Sequence, residues 1–305
     1  MNQNNHYLLT GASGFLGRII KAYLTSIGYT VTGLDLHGQS INVDITKQFK
    51  LDVDINLQVV VHAAGKAHSI PKNSEEEKVF YDVNFEGTKN ICAAIELLKQ
   101  KPKSFIFIST VAVYGLDSGN MISEGHPLNG MTPYAKSKIL AENWLAEWAR
   151  RNDIILGILR LPLIAGPNPP GNLGAMINGI RTGRYLSIGS ASAKKSVIWQ
   201  EDIASIIPTL ANVGGTYNLT DGNNPSFKQL ELVIAKSLGK KKPASIPFFL
   251  AKILALTGDI LGPRFPINSD KLKKITSNLT FDDSKACNDI NWSPSSVIEK
   301  LSKEL

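Results

Sequence analysis

Tyr134 and Lys138 stand four residues apart in the stretch TPYAKSKILAENWLAEW, and of the 8 tyrosines only Tyr134 has a lysine at that spacing. On a helix, residues i and i+4 share one face. A phenol and an ammonium so placed read in two ways: as a solvated pair on the surface of a lysine-rich chain, or as a proton-transfer group with a cation beside it. A free phenol has a pKa of about 10. A neighbouring ammonium favours phenolate, so it is expected to lower that value towards neutrality. Thr132 and Pro133 immediately precede the pair, an N-cap residue and a first-turn proline that together predict the start of a helix.

A second constellation lies near the start of the chain. LLTGASGFLGR carries Gly11, Gly14 and Gly17 after an apolar strand and at the entry to a helix. In that context each glycine has a physical role: Gly11 permits the tight turn, Gly14 lets backbone approach a pyrophosphate, and Gly17 lets the helix pack closely on the strand. The helix N-terminus then offers free N–H groups and a positive dipole end to phosphates. The next strand ends at Asp35, 18 residues past Gly17. A carboxylate there accepts from a ribose 2′-hydroxyl and repels a 2′-phosphate, which favours NAD over NADP. The alternative is an Asp in a strand-terminal turn.

These residues need elements to position them. Apolar runs at His6–Thr10, Tyr29–Asp35, Gln58–Ala64, Ser104–Thr110 and Ile154–Leu161 predict strands, and amphipathic stretches near Phe15–Ile27, Glu75–Gln100 and Pro133–Arg151 predict helices. Strands that are apolar throughout and alternate with helices indicate an α/β fold with a doubly wound parallel sheet. After Gly166 the texture changes. GPNPPGNLG reads as a loop, and helices are predicted near Asp202–Asn212, Ser226–Leu238 and Pro247–Leu261. The expected division is residues 1–165 as a dinucleotide-binding domain and 166–305 as a smaller substrate lobe, with C-terminal segments returning to the first core.

Composition narrows the classes. The 305 residues are 43% hydrophobic, enough for a sizeable interior, and the 2 cysteines, Cys92 and Cys287, do not make a disulfide scaffold. No basic-then-apolar leader is apparent, and no apolar run reaches the roughly 20 residues that span a bilayer. A cytoplasmic location is expected. The net charge of +7 lacks the aromatic-interleaved basic patches or zinc spacings of nucleic-acid binders. Anionic metabolites fit it better. No metal-binding spacing is evident.

Taken together with YAKSK, the ordered motifs resemble the extended short-chain dehydrogenase/reductase family, the NAD-dependent nucleotide-sugar epimerases and dehydratases with a Rossmann fold. GASGFLG is similar to that family's cofactor loop, which adds Ser13, Phe15 and Leu16 to the three glycines. By resemblance, VDI implies adenine contacts at Asp44 and Ile45. VVHAAG implies a cofactor-lining strand end at Ala63, Ala64 and Gly65. DVNFEGT carries Asn84 beneath the site, FISTVAVYG delivers a catalytic Thr110, and LRLPLIAGP closes the nicotinamide pocket near Pro162. Tyr134 is then the proton carrier, and Lys138 also holds the nicotinamide ribose. NPPGNLGAM resembles the segment that grips a sugar-nucleotide diphosphate with Asn172 and Leu173, although Asn172 could equally cap a helix. AKKSVIWQEDIA puts Lys195 where relatives carry a phosphate-binding Arg. Arg184 and Lys194 are other candidates, and Asp202 starts the next helix. DDSKACNDINWSP resembles the family's C-terminal signature.

Two departures separate subgroups. Sugar dehydratases carry an Asp-Glu pair where this chain has Val111 and Ala112, and galactose epimerases commonly carry an Asn where it has Leu163. The resemblance therefore implies an enzyme acting at C4 of a UDP-hexose or UDP-N-acetylhexosamine in surface polysaccharide precursor synthesis, with a 4-epimerase favoured and a homodimer expected. An NADH-dependent 4-ketoreductase uses the same residues and stays open. Two other classes are a non-catalytic dinucleotide-binding regulator, against which the Thr-Tyr-Lys set argues, and a protein that lies on a membrane through IPFFLAKILALTG.

Overall fold

Successive side chains of a strand point to opposite faces of a sheet, and the apolar residues here sort accordingly. Tyr7, Leu9, Val59, Val61, Ile106, Leu159 and Leu161 fall in one core, and Leu8, Val60, Phe105, Phe107 and Ile158 in another. The computed structural model describes residues 6–51, 56–67, 69–262 and 267–305. Residues 1–5, on which the reading of the N-terminus partly rests, lie outside them.

The chain begins β1 (His6–Thr10), α1 (Phe15–Ser26), β2 (Thr30–Asp35), β3 (Ile41–Asn42), β4 (Leu57–His62) and α2 (Ser74–Tyr81). A π-helical turn at Asp82–Glu86 leads into α3 (Gly87–Glu96) and β5 (Ser104–Thr110). A 3-10 turn at Val111–Tyr114, β6 (Gly119–Ile122), α4 (Pro133–Asn152) and β7 (Ile155–Leu161) follow. Then come β8 (Leu163–Ala165), α5 (Gly171–Arg181), β9 (Ser187–Ile188), β10 (Val197–Trp199), α6 (Gln200–Val213), β11 (Gly215–Asn218) and α7 (Phe227–Ser237). The remainder is β12 (Ser245–Ile246), α8 (Phe248–Leu261), α9 (Ser269–Thr276), β13 (Leu279–Phe281), α10 (Ser284–Ile290) and α11 (Val297–Glu304).

Seven strands form one parallel sheet in the order β11-β7-β5-β4-β1-β2-β3. Residues of α1, α6 and α10 cover one face, and residues of α3 and α4 cover the other. This is the doubly wound α/β fold. The strand order turns back between β1 and β4, which opens a crevice beyond their carboxyl ends.

The predicted helix over Glu75–Gln100 is broken in two. The π-turn at Asp82–Glu86 separates α2 from α3, and at its centre Asn84 is fully buried. Such a widened turn re-aims a side chain that a regular helix would carry elsewhere. The loop read over GPNPPGNLG is shorter than its composition suggests, because α5 already begins at Gly171. α6 and β11 lie beyond residue 166 yet belong to the central sheet and its covering layer. α5, β10, α7 and α11 gather around a separate core that includes Leu173, Trp199, Leu230 and Ile234, and α8 and α9 around a smaller one of Ala251, Ala255 and Leu272; β8 pairs with β10, β9 with β12, and β6 with β13.

Candidate functional site

The glycine loop shows why its residues carry no side chains. Gly11 sits at φ +70, and a Cβ there would lie 2.6 Å from the Ala64 backbone nitrogen. A Cβ on Gly17 would run into the Gly11 carbonyl. Gly14 is the cap residue of α1 and is exposed; no side chain bonds to the first turn, so its N–H groups stay available to an anion. The Asp35 carboxylate accepts from Ser13 N (2.9 Å) and Leu36 N (2.8 Å). It thereby ties the loop to the end of β2 and, with about four lone-pair positions, keeps acceptors for a ribose hydroxyl. A cradle that a single Cβ would fill, beside a half-exposed carboxylate, fits a dinucleotide. Phe15 is half-buried and packs against the α1 side of the sheet, and Leu16 is buried there.

Asp44 and Ile45, the expected adenine contacts, follow β3. The Asp44 carboxylate accepts from both Thr46 N (3.0 Å) and Thr46 Oγ1 (2.7 Å), which hold its pKa below the ordinary range. Ile45 is buried, its side chain fills the space that Gly87 leaves, and its carbonyl accepts from Asn90 Nδ2 at 2.8 Å. Both Thr46 bonds fall on Asp44 Oδ1, so Oδ2 keeps acceptor positions.

At the carboxyl end of β4 the chain turns through Ala63, Ala64 and Gly65. Ala63 N donates to Thr10 O and Ala64 N to Thr10 Oγ1, each at 3.2 Å. A Cβ on Gly65 would lie 3.1 Å from Asn84 Oδ1 and 3.4 Å from Lys138 Nζ. Asn84 fixes this turn: its Oδ1 accepts from Lys66 N (2.7 Å), and its Nδ2 donates to Lys66 O (3.1 Å) and Ser137 Oγ (2.9 Å). Ser137 Oγ donates in turn to Tyr134 O at 2.8 Å. Asn84 therefore links the β4 turn to the first turns of α4.

α4 starts as its sequence requires. Thr132 Oγ1 accepts from Ala135 N at 3.2 Å and Pro133 occupies the first turn. Tyr134 and Lys138 follow on one face, above the end of β5 that carries Thr110. Lys138 is 5% exposed; its ammonium donates to Ile108 O at 2.9 Å and lies 4.3 Å from the Phe107 ring centroid. Burial lowers its pKa to about 8 against the opposing pull of Glu142. The Tyr134 phenol departs from expectation. Burial raises its pKa, and a hydrogen bond with the Thr110 hydroxyl partly opposes that rise. Pro162 follows β7 and is half-buried.

Two features missed by the sequence reading support this centre. His62 is fully buried between Thr10 Oγ1 (2.6 Å to Nδ1) and Thr88 Oγ1 (2.9 Å to Nε2). Thr88 Oγ1 donates to Asn84 O (2.7 Å), so it accepts from Nε2–H, and Nδ1 accepts from Thr10. Burial, then the nearby Lys138 charge, lower the His62 pKa to about 3, so the ring is neutral and holds the β1 and β4 ends to Asn84. Below the centre, buried Glu142 pairs with buried Arg160 (2.7 Å), and Ser109 Oγ donates to the same carboxylate. Arg160 reaches on to Tyr114 OH at 3.1 Å. Glu142 lies four residues past Lys138, a spacing that could have flagged it.

The residues expected to grip a diphosphate differ in exposure. The helix α5 starts at Gly171 with Pro170 as its cap residue, so exposed Asn172 lies in the first turn and does not cap it. Leu173 is 3% exposed and belongs to the lobe core. Arg184 and Lys194 are exposed. Lys195 is buried, donates to Lys274 O at 2.9 Å and lies 5.9 Å from the Phe227 ring centroid. Burial lowers its pKa to about 8, with Asp117 opposing. Asp202 accepts from Ser295 N (2.8 Å) and Ser295 Oγ (3.1 Å), tying α6 to the segment before α11. Among the described residues no group of three or more His, Cys, Asp or Glu could hold a metal ion.

Comparison with known proteins bears on this arrangement. The profile of the family described as "NAD dependent epimerase/dehydratase family" matches residues 7–219. N-acetyl-alpha-D-glucosaminyl-diphospho-ditrans,octacis-undecaprenol 4-epimerase of Escherichia coli O157:H7 is 32% identical, covering 92% of this chain and 88% of that protein. UDP-glucose 4-epimerase of Vibrio cholerae is 25% identical, covering 97% of this chain and 93% of that protein. Among solved structures, UDP-glucuronic acid 4-epimerase of Bacillus cereus, crystallised with NAD, superposes with a TM-score of 0.73 at 20% identity over 98% of this chain and 97% of its own.

Proposed function

The chain belongs to the NAD-dependent epimerase/dehydratase family, and from that membership we propose that it is a 4-epimerase of diphosphate-linked sugars, with Tyr134 as the proton carrier at C4. The observation that carries this reading is the convergence of three elements on one point. Tyr134 and Lys138 stand on the first turns of α4, Thr110 ends β5 beside the phenol, and Gly65 and Asn84 close the β4 side.

NAD, when bound, supplies a hydride acceptor and donor for the sugar carbon. Gly11, Gly14, Gly17 and the α1 N-terminus would hold its pyrophosphate, Asp35 the adenosine ribose, and Lys138 the nicotinamide ribose. Tyr134 takes the proton of the C4 hydroxyl through its phenolic oxygen and returns it after the 4-keto sugar has turned over. Thr110 Oγ1 hydrogen-bonds the reacting oxygen. Lys138 carries positive charge below about pH 8, where it favours the phenolate form of Tyr134 once its ammonium leaves Ile108 O. Asn84, Ser137 and His62 keep the phenol and the β4 turn in register. We assign residues 1–165, joined by α6 and β11, to the dinucleotide and the rest of the chain to the sugar.

The substrate is a nucleotide sugar, as the names of the Vibrio cholerae and Bacillus cereus relatives suggest. A second reading, a sugar on a polyprenyl diphosphate, is favoured by the name of the Escherichia coli relative. Dehydration is disfavoured, because the turn after Thr110 offers Val111 and Ala112 in place of an acid and a base. The test is to incubate purified protein separately with UDP-GlcNAc, UDP-Glc, GlcNAc-diphospho-polyprenol and a 4-keto-6-deoxy nucleotide sugar, with and without NADH. The expected product is the C4 epimer without net NADH consumption. Stoichiometric NADH oxidation with the keto sugar, and no epimer elsewhere, would instead make the protein a 4-ketoreductase.

A further inference from the structure

α8 packs the wrong way round for a helix of a water-soluble protein. Ala251, Ala255 and Gly258 are its buried residues, and every other position from Phe248 to Leu261 is exposed. The outward side is the bulky, apolar one: Phe249 is 63% exposed, Ile253 57%, Leu256 51% and Ile260 86%. Their spacing of four, three and four residues places them in one stripe opposite the small residues. Leu186 and Ile275, also exposed, line the same cavity as Phe248 and extend the apolar surface. Contiguous exposed apolar surface of this kind marks an interaction site.

Charge says what covers it. Residues 228–274, which lead into α8, form it and follow it, hold ten Lys or Arg against three Asp or Glu, a net +7 equal to that of the whole chain. The remainder of the protein is therefore neutral, and the basic excess is confined to the lobe that bears the apolar stripe. Lys240, Lys241 and Lys242 precede the helix, Lys252 lies on it, and Lys273 sits on α9, which packs against α8; all five are exposed. Lys228 and Lys242 stand so close that hydrogen bonding with Lys242 and repulsion by it lower the Lys228 pKa. Crowded ammonium groups beside exposed Phe, Leu and Ile are the composition of helices that lie in the interface of anionic membranes. The 14 residues of α8 measure roughly 21 Å at 1.5 Å per residue. That is too short to cross a bilayer, and no helix of the described residues is long and apolar enough to do so.

We propose that α8, with the lysines around it, is a docking face for an anionic phospholipid bilayer. The helix lies in the interfacial plane with Phe249, Ile253, Leu256 and Ile260 in the acyl boundary and the lysines at the headgroups. This docking does not depend on which sugar the site takes.

The test is co-sedimentation of the full chain with vesicles of phosphatidylcholine alone and of phosphatidylcholine mixed with phosphatidylglycerol. The protein is expected to pellet with the mixed vesicles, to stay in solution with phosphatidylcholine, and to be released progressively by salt. Ile253→Gln with Ile260→Gln should weaken binding at least about tenfold, and both positions are exposed, so the fold and the turnover of a soluble substrate should not change. Lys240→Gln, Lys241→Gln and Lys242→Gln together should weaken it as well and flatten the salt dependence. The proposal is overturned if the wild-type protein ignores the mixed vesicles at low salt, or if the apolar pair of substitutions leaves binding intact. It is equally overturned if sedimentation velocity shows that the apolar pair splits a dimer while vesicle binding persists, since a second copy would then cover the stripe.

Discussion

Lys138 and Lys195 are held in nearly the same way. Each is less than a tenth exposed, each donates to a backbone carbonyl at 2.9 Å, each lies over a phenylalanine ring, and burial lowers each pKa to about 8. Their neighbours differ. Lys138 shares a helix face with Tyr134 and approaches Gly65 and Asn84 at the reversal of the sheet. Lys195 is enclosed by α9 and the start of α7, with Asp117 as its opposing charge. A perturbed ammonium is thus no mark of chemistry by itself. What distinguishes the first lysine is a tyrosine on its own helix, four residues away, which we propose as the proton carrier.

The contrast can be broken by substitution. Tyr134→Phe should cost the most, about 10²- to 10⁴-fold in kcat, the usual weight of a general acid/base group. NAD should still bind, because only one oxygen is lost; a variant that kept more than about a tenth of wild-type turnover would return Tyr134 to the status of a helix face. Lys138→Ala should lower kcat by at least about 10²-fold and also weaken NAD in an equilibrium titration, since it removes both a charge and a ribose contact. Lys195→Ala should raise KM for the diphosphate sugar about tenfold, the weight of one phosphate contact of ~1.4 kcal/mol, with NAD affinity unchanged. If KM did not move, the phosphate grip would pass to Arg184 or Lys194, and Lys195 would be a buried tie to Lys274.

The smallest effect is read by pH. Both lysines have folded pKa values near 8, below the solvated 10.5, so each loses its charge as pH rises through about 8. NAD affinity should fall across that range on account of Lys138, and KM for the sugar should rise on account of Lys195. In Lys195→Ala the KM should become flat with pH while the NAD dependence persists. For stability the sign is the reverse. Between about 8 and 10.5 the unfolded chain binds these protons more tightly than the folded one, so folding gains as pH rises through that window. Thermal unfolding of the wild type and the two alanine variants across that range checks it.

How much could be read in advance varies with the reach of the cause. Thr132, Pro133 and the pair that follows are legible because a helix cap and an i, i+4 face are properties of a few adjacent residues. Gly11 is legible because a left-handed turn after a strand admits little else. That Thr46 bonds one oxygen of Asp44 and that the Ile45 side chain fills the space beside Gly87 was not legible, because Gly87 is remote along the chain. His62 passed unremarked inside an apolar strand, because its partners Thr10 and Thr88 lie 52 and 26 residues away.

The alternation of apolar residues, the glycine spacing and the cap of α4 determined by themselves a parallel sheet, a dinucleotide turn and a helix that presents Tyr134 and Lys138 together. Each follows from steric or hydrogen-bonding limits within one or two turns of chain. Only the tertiary structure decided that α6 and β11 are among the C-terminal segments that return to the sheet and its cover, that Lys195 turns inward to a carbonyl 79 residues away, and that α8 buries Ala251, Ala255 and Gly258 and leaves its large residues outside. An apolar stripe is the same in sequence whether it faces a core or a surface. Which face lies against the protein is settled by the partner it meets, and that partner is remote along the chain.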